Sequence, residues 1–323
     1  MKTRIPRQPE TISPIYKSPL QLFIVLIALE VLVFMNQYVH YGLDNFFVPS
    51  LSAFIALSLV TPWIAKYLYK TFLSLKSAIN DLTESDNQEW FTQQTSLIFG
   101  INRWSVLITI IIAMCAVATD YLIWGGWGNF SVNATYYLHL TLLFSILGNL
   151  GWSYWGILLF AQKLDILKFD LEPFETKRAE FDHLNSAFLK MLGWGIILYI
   201  GAVIAGWLAL RTSILAVPIM KFWIFPLAFM VIAFFIAIQF FLHQLMRKAK
   251  SIRIGKISTL INSHYQEWEK SQSSVEASAI NELLTWKDKI EKEREFPFDF
   301  LTIASVIVTV LIPTLQTIKE LFA

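Results

Sequence analysis

The sequence predicts an all-α, polytopic membrane protein with seven transmembrane helices, its N-terminus cytoplasmic, its C-terminus outside, and several helices extended into the cytoplasm. Three observations predict it. The 323 residues are 55% apolar and 15% charged, whereas a soluble domain carries about a quarter charged residues. The apolar residues gather into runs of about twenty, the length one helix needs to cross roughly 30 Å of hydrocarbon. With the amino end inside, all of the 26 Lys and Arg except Arg211, Lys221 and Lys319 fall on one side, which is the cytoplasmic one by the positive-inside rule.

The first span is read at 20–37. It is longer than the apolar core of a cleaved signal and no small-x-small cleavage site follows it, so it is expected to stay. Others follow at 46–65, 104–124, 136–160, 187–210, 217–242 and 300–318. The outward loops are short. The inward ones, 66–103, 161–186 and 243–299, are long, so the mass beyond the bilayer is expected in the cytoplasm.

Residues 1–19 are Pro-rich and lack periodicity, which suits a disordered or surface-lying lead-in. Residues 20–242 read as a six-helix bundle with its loops. Lys66, Tyr69, Lys70, Phe72 and Leu75 suggest that the second helix runs past the headgroups, and Pro173 suits the start of a helix leading into the fifth span. Over 243–299, Ile254, Ile257, Ile261, Tyr265 and Trp268 form one helical stripe. After the polar stretch 271–278, Ile280, Leu283 and Ile290 mark a second amphipathic helix. The segment reads as a cytoplasmic helical hairpin, facing either its own chain or neighbouring subunits. Residues 300–323 form the seventh span, a candidate pore helix.

The single cysteine, Cys115, excludes an intramolecular disulfide and suits a small packing residue. No HExxH, CxxC pair, GxSxG, phosphate loop or dinucleotide turn occurs, and the five histidines form no metal-site spacing. The expectation is therefore no enzyme, no cofactor and no resident metal. A net charge of +2 gives no reason to expect a nucleic-acid partner.

Glu30 is the sharpest polar anomaly, a carboxyl group inside LIALEVLVF. Such a group is costly in hydrocarbon and by default faces the bundle interior or a cavity with a functional role, the bland alternative being one interhelical hydrogen bond. Asp120 and His139 are placed near the outward ends of the third and fourth spans, as interfacial residues or the lining of an outer vestibule. Asn149, between Gly148 and Gly151, suits a close helix contact held by an amide, and Gly201 with Ala205 offers small-xxx-small packing. Gln239 joins the candidate polar interior. Most tryptophans stand near span ends, where amphipathic rings anchor at the headgroups.

In the last span Thr302, Ser305, Thr309, Pro313, Gln316 and Glu320 recur at spacings that put all six on one face. A hydroxyl face ending in an acid suits a cation path, if several copies surround an axis. The same hydroxyls also suit helix packing with bonds to their own backbone carbonyls.

At EREFPFDFLTIASVIVTVLIP, residues 293–313, the sequence resembles a loosely defined group of uncharacterised bacterial multi-pass proteins with a WPFD-like box before the last span; Phe296 stands here in place of the Trp. This resemblance implies a bacterial inner membrane. The whole-chain plan is similar to the insect odorant and gustatory receptor type of seven-helix channel. That likeness, one of architecture, implies a tetramer with the last helix lining a pore that ligands can open.

These readings lead to an expected homo-oligomeric channel in the lipid bilayer, conducting ions and open to control by a small-molecule ligand. The alternatives are a secondary transporter working through Glu30, and a membrane scaffold or effector acting through the cytoplasmic hairpin.

Overall fold

The computed structural model describes residues 12–41, 47–83, 87–124, 130–164, 167, 174–210, 216–292, 308 and 312, with side chains described outside 37, 40–56, 120–133, 174–180 and 205–226. Among the described residues the chain is all-α. An isolated β-bridge pairs Ile12 with Gly100. The helices are α1 (Pro14–Lys17), α2 (Pro19–Tyr41), α3 (Phe47–Leu82), α4 (Gln88–Phe99), α5 (Arg103–Trp124), α6 (Phe130–Lys163), α7 (Phe174–Leu210), α8 (Ala216–Ser271) and α9 (Ser274–Lys292).

Four of them, α2, α6, α7 and α8, contain stretches long and apolar enough to cross a membrane, as expected of an integral membrane protein. The apolar stretch of α5, Arg103–Thr119, is shorter. Large apolar side chains stay exposed along α2 (Ile24, Val25, Val31, Leu32, Met35) and α5 (Leu107, Ile110, Ile111, Met114). In water such faces would drive aggregation; against lipid they cost nothing.

The helices alternate in direction. Glu30 and Asn36 of α2 meet His139 and Thr135 of α6, so these two run antiparallel. Leu57 and Tyr67 of α3 lie against Gly201 and Trp194 of α7, another antiparallel pair. The α5–α6 contact is tight because Gly148 has no side chain: a methyl group there would come within 2.9 Å of Thr109 Cα. Beside it Asn149 Nδ2 donates to Thr109 Oγ1 at 2.9 Å, the amide-held close contact that the sequence suggested.

Four helices outrun the hydrocarbon of a bilayer. At 1.5 Å per residue α3, α6, α7 and α8 span about 54, 51, 55 and 84 Å, against about 30 Å of hydrocarbon. Arg247, Lys248, Lys250 and Arg253 begin the polar part of α8, and α9 folds back on it, with Glu276 against His264 and the carbonyl of Glu291 accepting from Lys250 Nζ at 2.8 Å. The turn is shorter than the polar stretch 271–278. Gln272 takes φ 47°, Ser273 Oγ accepts from Val275 N–H at 3.2 Å, and α9 begins at Ser274. A serine cap satisfies an orphan amide and lets the helix start early.

Two further differences from the sequence reading concern the same end of the bundle. The lead-in 1–19 was expected to be disordered or surface-lying; residues 1–11 fall outside the described residues, but 12–19 are docked. Ser13 N–H donates to the Phe99 carbonyl at 3.0 Å. Tyr16, 2% exposed, sits among Tyr69, Phe99 and the polar atoms of α6, with its hydroxyl 2.5 Å from Ser153 Oγ and donating to the Asn149 carbonyl at 3.1 Å. The loop 66–103 also holds α4, whose Phe91, Ile98 and Phe99 are buried. Phe72, Phe91, Phe99 and Phe160 meet there, with Phe72 and Phe160 edge to face at 4.8 Å. Large aromatic areas without polar edges explain why an aperiodic segment and a short helix are held so firmly. Asn102 closes the join: its Oδ1 accepts from Trp104 and Ser105 N–H while Ser105 Oγ accepts from Asn102 N–H, a reciprocal cap at the start of α5.

Candidate functional site

The buried stripe of α2 is Leu26, Glu30 and Val33, spaced four and three residues apart. Glu30 therefore faces the bundle, 4% exposed, while Ile24, Val31, Leu32 and Met35 on other faces of the helix are exposed. Opposite it stands His139 of α6, 1% exposed, with Nε2 3.3 Å from Glu30 Oε1. Ser58 of α3 completes the group; it is fully buried, with Oγ 3.2 Å from the same Nε2. Leu57, Leu140 and Leu143 are buried neighbours of these residues along α3 and α6, so the group sits in apolar surroundings.

The two contacts of Nε2 differ. The one with Ser58 is aligned as a hydrogen bond; the one with Glu30 lies within ion-pair range but is not aligned as one, and neither carboxyl oxygen has a hydrogen-bond partner among the described residues. A ring nitrogen holds either a proton or a lone pair. With a lone pair on Nε2, the Ser58 hydroxyl donates to it. With a proton on Nε2, the imidazole can donate to the Glu30 carboxylate after a small rotation. The two arrangements differ in where a proton resides.

His139 was expected near the outward end of its span and in reach of water. It is instead buried, facing Glu30 of α2 and Ser58 of α3. The sequence reading began the span at 136, whereas α6 starts at Phe130, which puts His139 nine residues into the helix. Ser58 was missed; a lone serine in an apolar run carries no signal of its own. The other polar candidates lie elsewhere. Asn149 binds Thr109 as described. Gln239 is on α8, which packs on α7, α6 and α5, and its Oε1 is shielded without a hydrogen-bond partner among the described residues. Asp120 belongs to α5, its side chain outside the described residues. Cys115 is a free, exposed thiol on α5, not a packing residue.

Thr302, Ser305, Thr309, Pro313, Gln316 and Glu320 lie outside the described residues. Val308 and Ile312 of the same segment are helical and about half exposed.

What fold and site define, among the described residues, is an all-α protein with four helices long and apolar enough to cross a membrane and a buried carboxyl–imidazole–hydroxyl group joining three helices. No protein family, no curated protein and no solved structure matches the chain.

Proposed function

We propose that the chain is a secondary transporter of seven spans, with its amino end cytoplasmic, in which Glu30 and His139 carry a coupling proton. One observation carries this reading: a carboxyl and an imidazole, both almost fully buried, meet at 3.3 Å between helices able to cross a membrane. Ionisable groups at such depth are rare and mark proton and ion paths. A structural hydrogen bond would not need two titratable partners and a serine that competes for the same nitrogen.

Alternating access has a natural moving part in α2. Only about a fifth of its apolar stretch is buried, and it packs on α6 and α3 along the stripe that holds Glu30. A shift of α2 away from α6 would separate the carboxyl from His139 and open both to water. Closing would return the pair to its dry contact, and a solute bound in the opened gap would move with the exchange. What supports the transporter reading is the buried Glu30–His139 contact; the residues of the pore reading lie outside the described ones.

The test is a pH jump on proteoliposomes adsorbed to a solid-supported membrane. Wild type is expected to give a transient charge displacement without added solute, and Glu30→Gln and His139→Gln to abolish it. An unchanged transient in Glu30→Gln would sink the reading.

A further inference from the structure

Far from that group, at the tip of the α8–α9 hairpin, three potential metal ligands converge. His264 and Glu267 are three residues apart on α8 and so share a face. Glu276 comes from the first turn of α9. The His264 Nδ1 atom and Glu276 Oε2 are 2.6 Å apart, and one ligand atom from each of the three side chains lies within 4.8 Å of the others. His264 and Glu276 are half-buried, Glu267 exposed. A hydrogen bond between His264 and Glu276, with Glu276 complementing the start of α9, would explain two of the three. It leaves over Glu267, whose carboxylate has no hydrogen bond or ion pair among the described residues yet stands beside a second carboxylate. Two negative charges held together beside an imidazole want a cation between them.

We propose that His264, Glu267 and Glu276 form a site for a divalent transition-metal ion, with Zn²⁺ the best-suited, that clasps the tip of the hairpin. One imidazole nitrogen and two carboxylates are an accepted donor set for zinc, at about 2.0–2.2 Å each, leaving a position for water. Ligand atoms in such a sphere are about 3.5 Å apart, so binding would replace the 2.6 Å hydrogen bond between His264 Nδ1 and Glu276 Oε2, open that pair by about 1 Å and bring Glu267 in, all by side-chain rotation. The ion would tie α9 to α8 across the chain reversal at Gln272, and would make the rigidity of the projecting hairpin depend on metal supply. The proposal is independent of the transporter reading.

The experiment uses the full chain, tag-free, in detergent and stripped with chelator, titrated with Zn²⁺ by calorimetry and checked by metal analysis after dialysis. One saturable Zn²⁺ per chain is expected, with affinity at least tenfold weaker in each of His264→Ala, Glu267→Gln and Glu276→Gln. Glu267→Gln breaks no contact in the fold, so its loss of binding cannot be put down to unfolding. Cu²⁺ at the same site should show a single imidazole nitrogen by electron paramagnetic resonance, absent in His264→Ala. No saturable binding, or binding that survives His264→Ala through His40, His139, His183 or His243, would overturn the proposal.

Discussion

Replacing His139 by Leu leaves the Glu30 carboxyl facing apolar side chains, and the cost can be worked from the contact. The carboxyl has the His139 ring nitrogen at 3.3 Å and apolar side chains around it, so His139→Leu leaves a buried polar group uncompensated, at a usual cost of about 1–3 kcal/mol. Glu30→Leu should cost near 1 kcal/mol by the usual worth of one lost polar contact, because His139 keeps Ser58. The double variant should recover most of the loss, giving a coupling of about 1–3 kcal/mol.

Reversible unfolding of the purified protein in mixed micelles, followed by tryptophan fluorescence across all four members of the cycle, measures that coupling. Residues that do not interact add within about 0.5 kcal/mol. Additivity of His139→Leu and Glu30→Leu within that margin would refute the claim that the two groups act as a unit, and with it the shared proton.

Gly148→Ala places a methyl 2.9 Å from the Thr109 backbone and should cost about 1–3 kcal/mol, whereas Gly151→Ala, with nothing within 4 Å of the new methyl, should be neutral in the same assay. Burial pushes the Tyr16 hydroxyl pKa well above the usual tyrosine value of about 10. The native state therefore holds its proton where the unfolded chain releases it. Stability from this group is complete below pH of about 10 and falls by about 1.4 kcal/mol per pH unit above it, so between pH 9 and 11 wild type should lose more stability than Tyr16→Phe in parallel thermal melts. Cys115 is exposed on α5. If α5 crosses the membrane, the thiol should react in proteoliposomes with membrane-permeant N-ethylmaleimide at least tenfold faster than with a charged methanethiosulfonate; equal rates would place it in water.

Helix existence was plain in the sequence because apolar runs about twenty residues long admit little else in lipid, and the extensions of α3 and α8 were visible as stripes continuing past the runs. Helix starts were not. Phe130–Thr135 mixes Ser, Asn and Thr with apolar residues and reads as loop, yet it forms the first turns of α6, and that error hid the meeting of His139 with Glu30. The docking of 12–19 was illegible for a related reason: it depends on one tyrosine finding Ser153 and the Asn149 carbonyl more than 130 positions away, and no local period records such a contact. α4 was obscured because Gln94, Thr95 and Ser96 lie between its buried Phe91 and Ile98, giving an inward face that is half polar.

Tyr16 and Glu30 belong to the same end-to-end logic of α2. The helix is joined through Ser18 to α1, whose Tyr16 is locked against α6 and α4 by aromatic packing and two hydrogen-bonded contacts. Further along, α2 is held on its inward face by Leu26, Glu30 and Val33 and is otherwise open. A helix fixed at one end and lightly held beyond it moves by pivoting, and the displacement grows with distance from the pivot. Glu30 lies fourteen positions from Tyr16, about 20 Å along a helix, so a tilt of about 10° would shift it by roughly 3.5 Å. That is enough to separate it from His139 and admit a water. Tyr16→Ala should therefore loosen the pivot and alter the charge transient of the pH jump without touching either titrating group, while Tyr16→Phe, which keeps the ring packing, should alter it less. Equal effects of the two substitutions would place the control in the hydroxyl contacts instead of the aromatic anchor.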